Sequence, residues 1–182
     1  MKTIHIMTMG KSATETLLMN QNVSGGYVNL WAINGIAGRY AAFGKIKASA
    51  ATTITQIKNT KFYNHRGTTG FYLVLLRDNS GTPTLTGIQY SKAKHTLTGY
   101  DTDDVDWTFD GFSVAQDEEI WVGCYINNQT YDSGYSFNVY YSSSDDTSFF
   151  SVEDKQWYEY NSGWTGKTTD TNFAGTDIYG LI

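Results

Sequence analysis

The chain has little of what many function classes require. Its 182 residues include one cysteine, Cys124, and one proline, Pro83. A single thiol excludes an internal disulfide. Its setting, Ile120-Trp121-Val122-Gly123-Cys124-Tyr125-Ile126, reads as a strand in which the cysteine is a small apolar filler. Charged residues make up only 17%, the formal net charge is -5, and no Lys/Arg cluster occurs. Nucleic-acid affinity comes chiefly from neutralising phosphates, so no nucleic-acid partner is expected. A polybasic membrane anchor is missing for the same reason, and no apolar run approaches the length of a membrane-spanning helix. Met1 to Met9 has neither a continuous apolar stretch nor a small-residue cleavage site, so it does not read as a signal peptide. The expectation is a protein made in the cytoplasm and not secreted by the standard route.

What is present is aromatic and β-forming. Aromatic residues reach 15%, 14 of them Tyr, and Tyr, Trp, Phe and Thr suit a half-buried pleated surface. Strand patterns recur between turn signals. Tyr27 to Ile33 is closed by Asn34-Gly35; Arg39 to Ala48 follows, then Thr53 to Lys58 continuing toward Phe62 and Tyr63. Gly70 to Arg77 is a nearly unbroken apolar run, short and Gly-bounded, which predicts a strand buried on both faces. Asp78 to Pro83 is a turn. Trp107 to Val114 and Ile120 to Ile126 read as a pair joined around Gln116 to Glu119. Tyr135 to Tyr141, Phe149-Phe150, Gln156 to Tyr160 and Asp177 to Leu181 complete the set. Many short strands with polar turns predict an all-β antiparallel sandwich over residues 26–182.

The exception is the N-terminal segment, residues 1–25. Lys11 to Gln21 can form a short helix with Ser12 as N-cap and Glu15 closing a capping box. Equally, residues 1–25 can be an extended arm ending at Ser24-Gly25-Gly26, of the kind that orders against a neighbouring subunit. Both readings stand at this point.

Three stretches carry a family resemblance. Ile54 to Lys58 through Phe71 to Pro83 looks like a strand pair ending in an Asp-Asn-Ser-Gly-Thr-Pro turn. Phe112-Ser113-Val114 to Gly123 looks like a hairpin with an acidic turn. Gln156 to Tyr160 and Ile178 to Ile182 look like two closing strands. Together they resemble a jelly-roll-like β-sandwich module of gut-bacterial surface proteins and phage virion proteins. The resemblance implies display or binding and no catalytic set. A virion protein assembles in the host cytoplasm without an export signal. The first expectation is therefore a phage head- or tail-fibre or decoration component, a homo-oligomer that contacts other virion proteins. The alternative is a carbohydrate-binding or adhesin module at a bacterial surface or outside the cell.

Candidate sites are few. Tyr131, Tyr158, Tyr160 and Trp164 lie among Asn, Ser, Thr and Asp, a composition that lets sugar faces stack on rings while polar neighbours bind hydroxyls. The competing reading gives about half of the aromatic set, Tyr135 and Trp157 among them, to the core. Asp101, Asp103, Asp104 and Asp106 suit Ca²⁺ by ligand type, but they lack EF-hand spacing, and the plainer reading is a solvated loop before Trp107. No cofactor other than such a structural calcium is implied. Enzymatic activity is not expected. Glu118 and Glu119 are neighbours that strand alternation points apart, and His5, His65 and His95 are far apart in the chain without metal-ligand spacing.

Overall fold

The computed structural model describes residues 14–22, 27–33, 36–66, 68–84, 90–91, 95–98, 102–125, 135–140, 144–146, 149–160, 164–168 and 176–182. The described residues contain strands and no helix. In chain order these are β1 (Glu15–Asn22), β2 (Tyr27–Ile33), β3 (Ile36–Ala48), β4 (Thr52–Arg66), β5 (Thr68–Asn79), β6 (Thr82–Pro83), β7 (Tyr90–Ser91) and β8 (His95–Thr98). They continue with β9 (Thr102–Val114), β10 (Glu119–Tyr125), β11 (Tyr135–Tyr140), β12 (Ser144–Asp146), β13 (Phe150–Tyr160), β14 (Trp164–Thr168) and β15 (Asp177–Leu181).

Two antiparallel sheets pack face to face, so the chain is an all-β sandwich. One sheet runs β12-β1-β15-β4-β9 and the other β14-β13-β3-β10-β5, with β6, β7 and β8 also paired to β5. Pairing continues from β4 through β11 and β2 to β3, which links the sheets along one side. The shared interior takes Leu18, Ile54, Ile57, Trp107, Phe109, Phe112 and Ile178 from the first sheet. The second sheet contributes Ile46, Leu73, Leu75, Ile120, Val122 and Phe150. Cys124 is fully buried in that interior, and burial pushes its thiol up to about 12.

The apolar run in β5 is buried on both faces, as its composition predicts. Leu73 and Leu75 enter the shared interior, whereas Val74 and Leu76 join Ala41, Phe43 and Trp121 in a second cluster on the opposite face. The β5–β6 hairpin closes through Ser80 and Gly81, both with positive φ (54° and 88°), a mirror-type turn whose twist matches the strands it joins. The Asp78 carboxylate accepts the Gly81 N–H at 2.9 Å and so fixes that turn.

Bulges break the alternation that a sequence pattern assumes. In β9, Ile54 pairs with Phe112 and Gln56 with Thr108, so β9 carries extra residues between them. Gly111 adopts φ 116°, open only to glycine at low cost. This shift lets Phe109 and Phe112, three residues apart, both face inward. In β1 the ladder skips Leu18, so the consecutive Leu18 and Met19 are both buried. Gly180 allows close approach here: a Cβ would lie 2.5 Å from the Thr53 carbonyl oxygen and 2.7 Å from Leu18.

Three expectations are corrected. Glu15–Asn22 is a strand, not a helix, and it pairs with β15 of its own domain, so the sandwich begins before residue 26; residues 1–13 and 23–26 lie outside the described residues. Cross-strand pairing and the burial of Leu18 and Met19 override a local capping pattern worth far less. Second, β9 and β10 are not a hairpin. Strand β10 is flanked by β3 and β5 along its length, while β9 pairs with β4 in the other sheet. Third, β4 and β5 are not partners, because they also belong to different sheets.

Candidate functional site

Two connections cross between the sheets at one end of the sandwich. Ser49–Ala51 leads from β3 to β4, and Ala115–Glu118 leads from β9 to β10. Backbone bonds hold the second crossing to the end of β3, and the first crossing to Phe149 just before β13. The Asp117 N–H donates to the Ala48 carbonyl at 2.8 Å, the Ala48 N–H to the Glu118 carbonyl at 3.1 Å, and the Ser49 N–H to the Phe149 carbonyl at 3.0 Å.

Side chains tighten this end further. Glu118 accepts the Ala115 N–H at 2.7 Å through one oxygen and pairs with the Arg77 guanidinium through the other. Arg77, at the end of β5, also donates to the Ser113 carbonyl at 2.7 Å and lies 4.1 Å over the Phe112 ring. One arginine thus ties both sheets and the crossing together. Lys45 donates to Glu119 at 2.9 Å, and Lys47 lies 3.5 Å from Asp117. As alternation requires, Glu118 and Glu119 go to different partners.

The crossing separates two hollows. A cleft of about 520 Å³ lies on one side, between Thr52, Thr53, Ser113, Val114, Glu118 and Leu181. A smaller pocket of about 330 Å³ lies on the other, bounded by Lys47, Ser49, Asp117, Phe149, Ser151 and Glu153. The cleft is walled mainly by short side chains. The pocket combines a part-buried aromatic ring with two hydroxyls, two carboxylates and an ammonium.

The residues singled out from the sequence fall elsewhere. Tyr160 and Trp164 are cross-strand partners in the β13–β14 hairpin, and Tyr158 lies two residues before Tyr160, opposite Gly166. The ladder therefore places these three positions within two residues of one another on the same hairpin. Tyr131 lies outside the described residues. Of the calcium candidates, Asp101 is likewise outside, while Asp103, Asp104 and Asp106 belong to β9 and not to a loop before it. Asp106 is exposed. Among the described residues no group of three or more His, Cys, Asp or Glu could hold a metal ion. His65 and His95 sit in strands, β4 and β8.

Sequence reasoning missed the pocket. Lys47, Asp117 and Glu153 come from three distant segments, and Phe149 reads locally as one more core residue. No protein-family model matches this chain, and neither does any curated protein or any solved structure.

Proposed function

We propose that this chain is a non-enzymatic structural or attachment protein of a virion, a fibre or decoration component that works through protein contacts, including contacts with copies of itself. The observation that carries the reading is the outer face of the first sheet. Leu17 stands beside Tyr179, which stands beside Gln56; the next row holds Glu15, Leu181 and Thr53. Leu17 is 40% exposed, and with Ile182 it makes up the exposed large aliphatics of the described residues, both at this sheet. Lys58 lies 4.6 Å over the Tyr179 ring, a cation–π contact on the same face. A face that sets Leu17, Tyr179, Leu181 and Thr53 side by side, with Glu15 and Lys58 among them, has the mixed make-up of a protein interface. Because β1 pairs within its own domain, association in this reading uses that face and not an exchanged strand at residues 15–22.

Mass photometry and sedimentation of the purified chain test this directly. A defined homo-oligomer is expected, and Leu17→Glu is expected to dissociate it without unfolding. A wild-type chain that stays monomeric at high concentration would overturn the reading.

A second reading, a glycan-binding module, has one observation in its favour: the grouping of positions 158, 160 and 164 on the β13–β14 hairpin. A glycan array with the wild type and Trp164→Ala tests it, since binding by the hairpin must fall in the variant.

A further inference from the structure

We infer that the pocket beside the inter-sheet crossing binds one neutral saccharide residue. The inference rests on the glycan-binding reading and moves the site from the β13–β14 hairpin to the opposite end of β13. Ser151 and Tyr160 are nine positions apart, roughly 30 Å along a strand.

The chemistry of the walls selects the ligand class. Phe149 is part-buried against the core and packs edge-on to Phe150, with ring centroids 5.1 Å apart. It offers an apolar surface for the C–H face of a sugar ring. Around it, Ser49 can donate and accept, Ser151, whose proton goes to Glu153, can accept, Asp117 and Glu153 accept, and Lys47 donates. That mixture matches the alternating needs of ring hydroxyls. Two carboxylates stand against one ammonium, and the ammonium is already 3.5 Å from Asp117. The balance repels phosphate, sulfate or a sialic carboxylate. A wholly apolar ligand would strip water from five polar side chains with no return. At about 330 Å³ the hollow is at the small end of ligand sites, which fits one sugar unit.

Two backbone irregularities meet at the same walls. The described residues have two non-glycine positions with positive φ. One, Ser80, belongs to the β5–β6 turn. The other is Asp117, φ 62°, whose side chain is 70% exposed at the pocket rim. Asp is among the few side chains that tolerate this left-handed conformation, and glycine would hold it at less cost still. On the facing wall, Val152 pairs with Ile46 and Asp154 with Lys45, so Glu153 is an extra residue in β13. Bulges of this kind re-aim a side chain. The Glu153 carboxylate accepts the Ser151 hydroxyl at 2.5 Å, which sets the two groups together at the mouth. The backbone bonds between the crossing and β3 hold these walls before any ligand arrives, which lowers the ordering cost of binding.

The test is saturation-transfer NMR and calorimetry on the whole chain with methyl glycosides of glucose, galactose, mannose and N-acetylglucosamine. Saturation transfer between at least one glycoside and the Phe149 ring is expected. Phe149→Ala, which removes the apolar wall, and Glu153→Gln, which removes one charge-assisted contact, are each expected to weaken binding by roughly tenfold. Asp117→Gly keeps the turn and removes the carboxylate. It should hold or raise the melting temperature while binding falls, which separates a lost ligand contact from a damaged fold. Binding that survives all three variants but disappears in Trp164→Ala would overturn the pocket and leave the hairpin reading standing. No binding of any glycoside by the wild type would overturn the pocket, and a silent glycan array besides would remove the glycan-binding reading with it.

Discussion

The two faces of the β5–β10 ribbon are both buried, by different means. Toward the sandwich interior it presents Leu73, Leu75, Ile120, Val122 and Cys124, which meet apolar side chains of the facing sheet. On the other face Val74, Leu76 and Trp121 gather with Phe43 and Ala41 under polar fastenings. The Trp121 indole N–H donates to Asp78 at 2.7 Å, and Lys45 lies 5.8 Å over its ring while paired with Glu119. The interior is generic, because aliphatics of similar volume can replace one another there. The outer cluster is specific, because a large indole is seated by one carboxylate that also fixes a turn. The difference teaches where this fold is tolerant and where a single polar group is decisive.

The largest expected effect tests whether the outer cluster is a true second core. Trp121→Ala should cost about 3–5 kcal/mol, the range for deleting a fully buried aromatic side chain. Leu75→Ala on the interior face should cost about 2–5 kcal/mol. Urea unfolding of both variants, read at unchanged m-value, makes the comparison. If Trp121→Ala falls to the level of ordinary surface substitutions, within about 0.5 kcal/mol, the second core does not exist.

A smaller effect sharpens the same contrast. Asp78→Ala removes the acceptor of a buried indole N–H and the anchor of the Ser80-Gly81 turn together. The expected cost is about 1–3 kcal/mol, the penalty for a buried donor left without its partner. A double-mutant cycle with Trp121→Phe should show a coupling of at least about 0.5 kcal/mol. Additive losses would mean that the turn alone, not the seat of Trp121, depends on Asp78.

The same contrast explains what could be read from the chain. The double burial of β5 was legible because a short, Gly-bounded apolar run leaves no polar face to offer solvent. Strands β2 and β15 were legible to the residue: Asn34-Gly35 closes the first, and the second alternates half-buried with buried positions. Strand β9 was only half legible. Trp107, Phe109, Phe112 and Val114 all face inward, and a period of two cannot produce that set. The Asp110-Gly111 dipeptide is the local mark of the shift, and its meaning depends on the pairing with β4. The crossing at Ala115–Glu118 was read as a hairpin because turn chemistry says that a chain reverses, not which sheet it enters. The pocket lay beyond reach for the same reason. Its walls come from β3, the crossing and β13, and nothing local to Phe149 distinguishes a wall from a core. The aromatic positions of the β13–β14 hairpin were found because they are close in sequence as well as in the ladder.

The smallest effect concerns the interior face, and its sign follows from burial alone. Cys124 sits there without a polar seat, and its thiol is raised from 9.0 to about 12 because the thiolate cannot be solvated. The unfolded chain ionises first as pH rises, so the native state has the full benefit of the neutral thiol below about pH 9.0. That benefit drains away from 9.0 toward about 12 as the unfolded thiol loses its proton. At neutral pH, Cys124→Ala should cost only about 1 kcal/mol, a small-volume loss in a packed interior. In alkaline solution the gap between wild type and variant should narrow, because the variant has no thiol to ionise. Thiol-labelling reagents should be excluded from the native chain and react fully in urea. Rapid native labelling would mean that the interior face opens to water, and the contrast between the dry face and the fastened one would then have to be drawn the other way round.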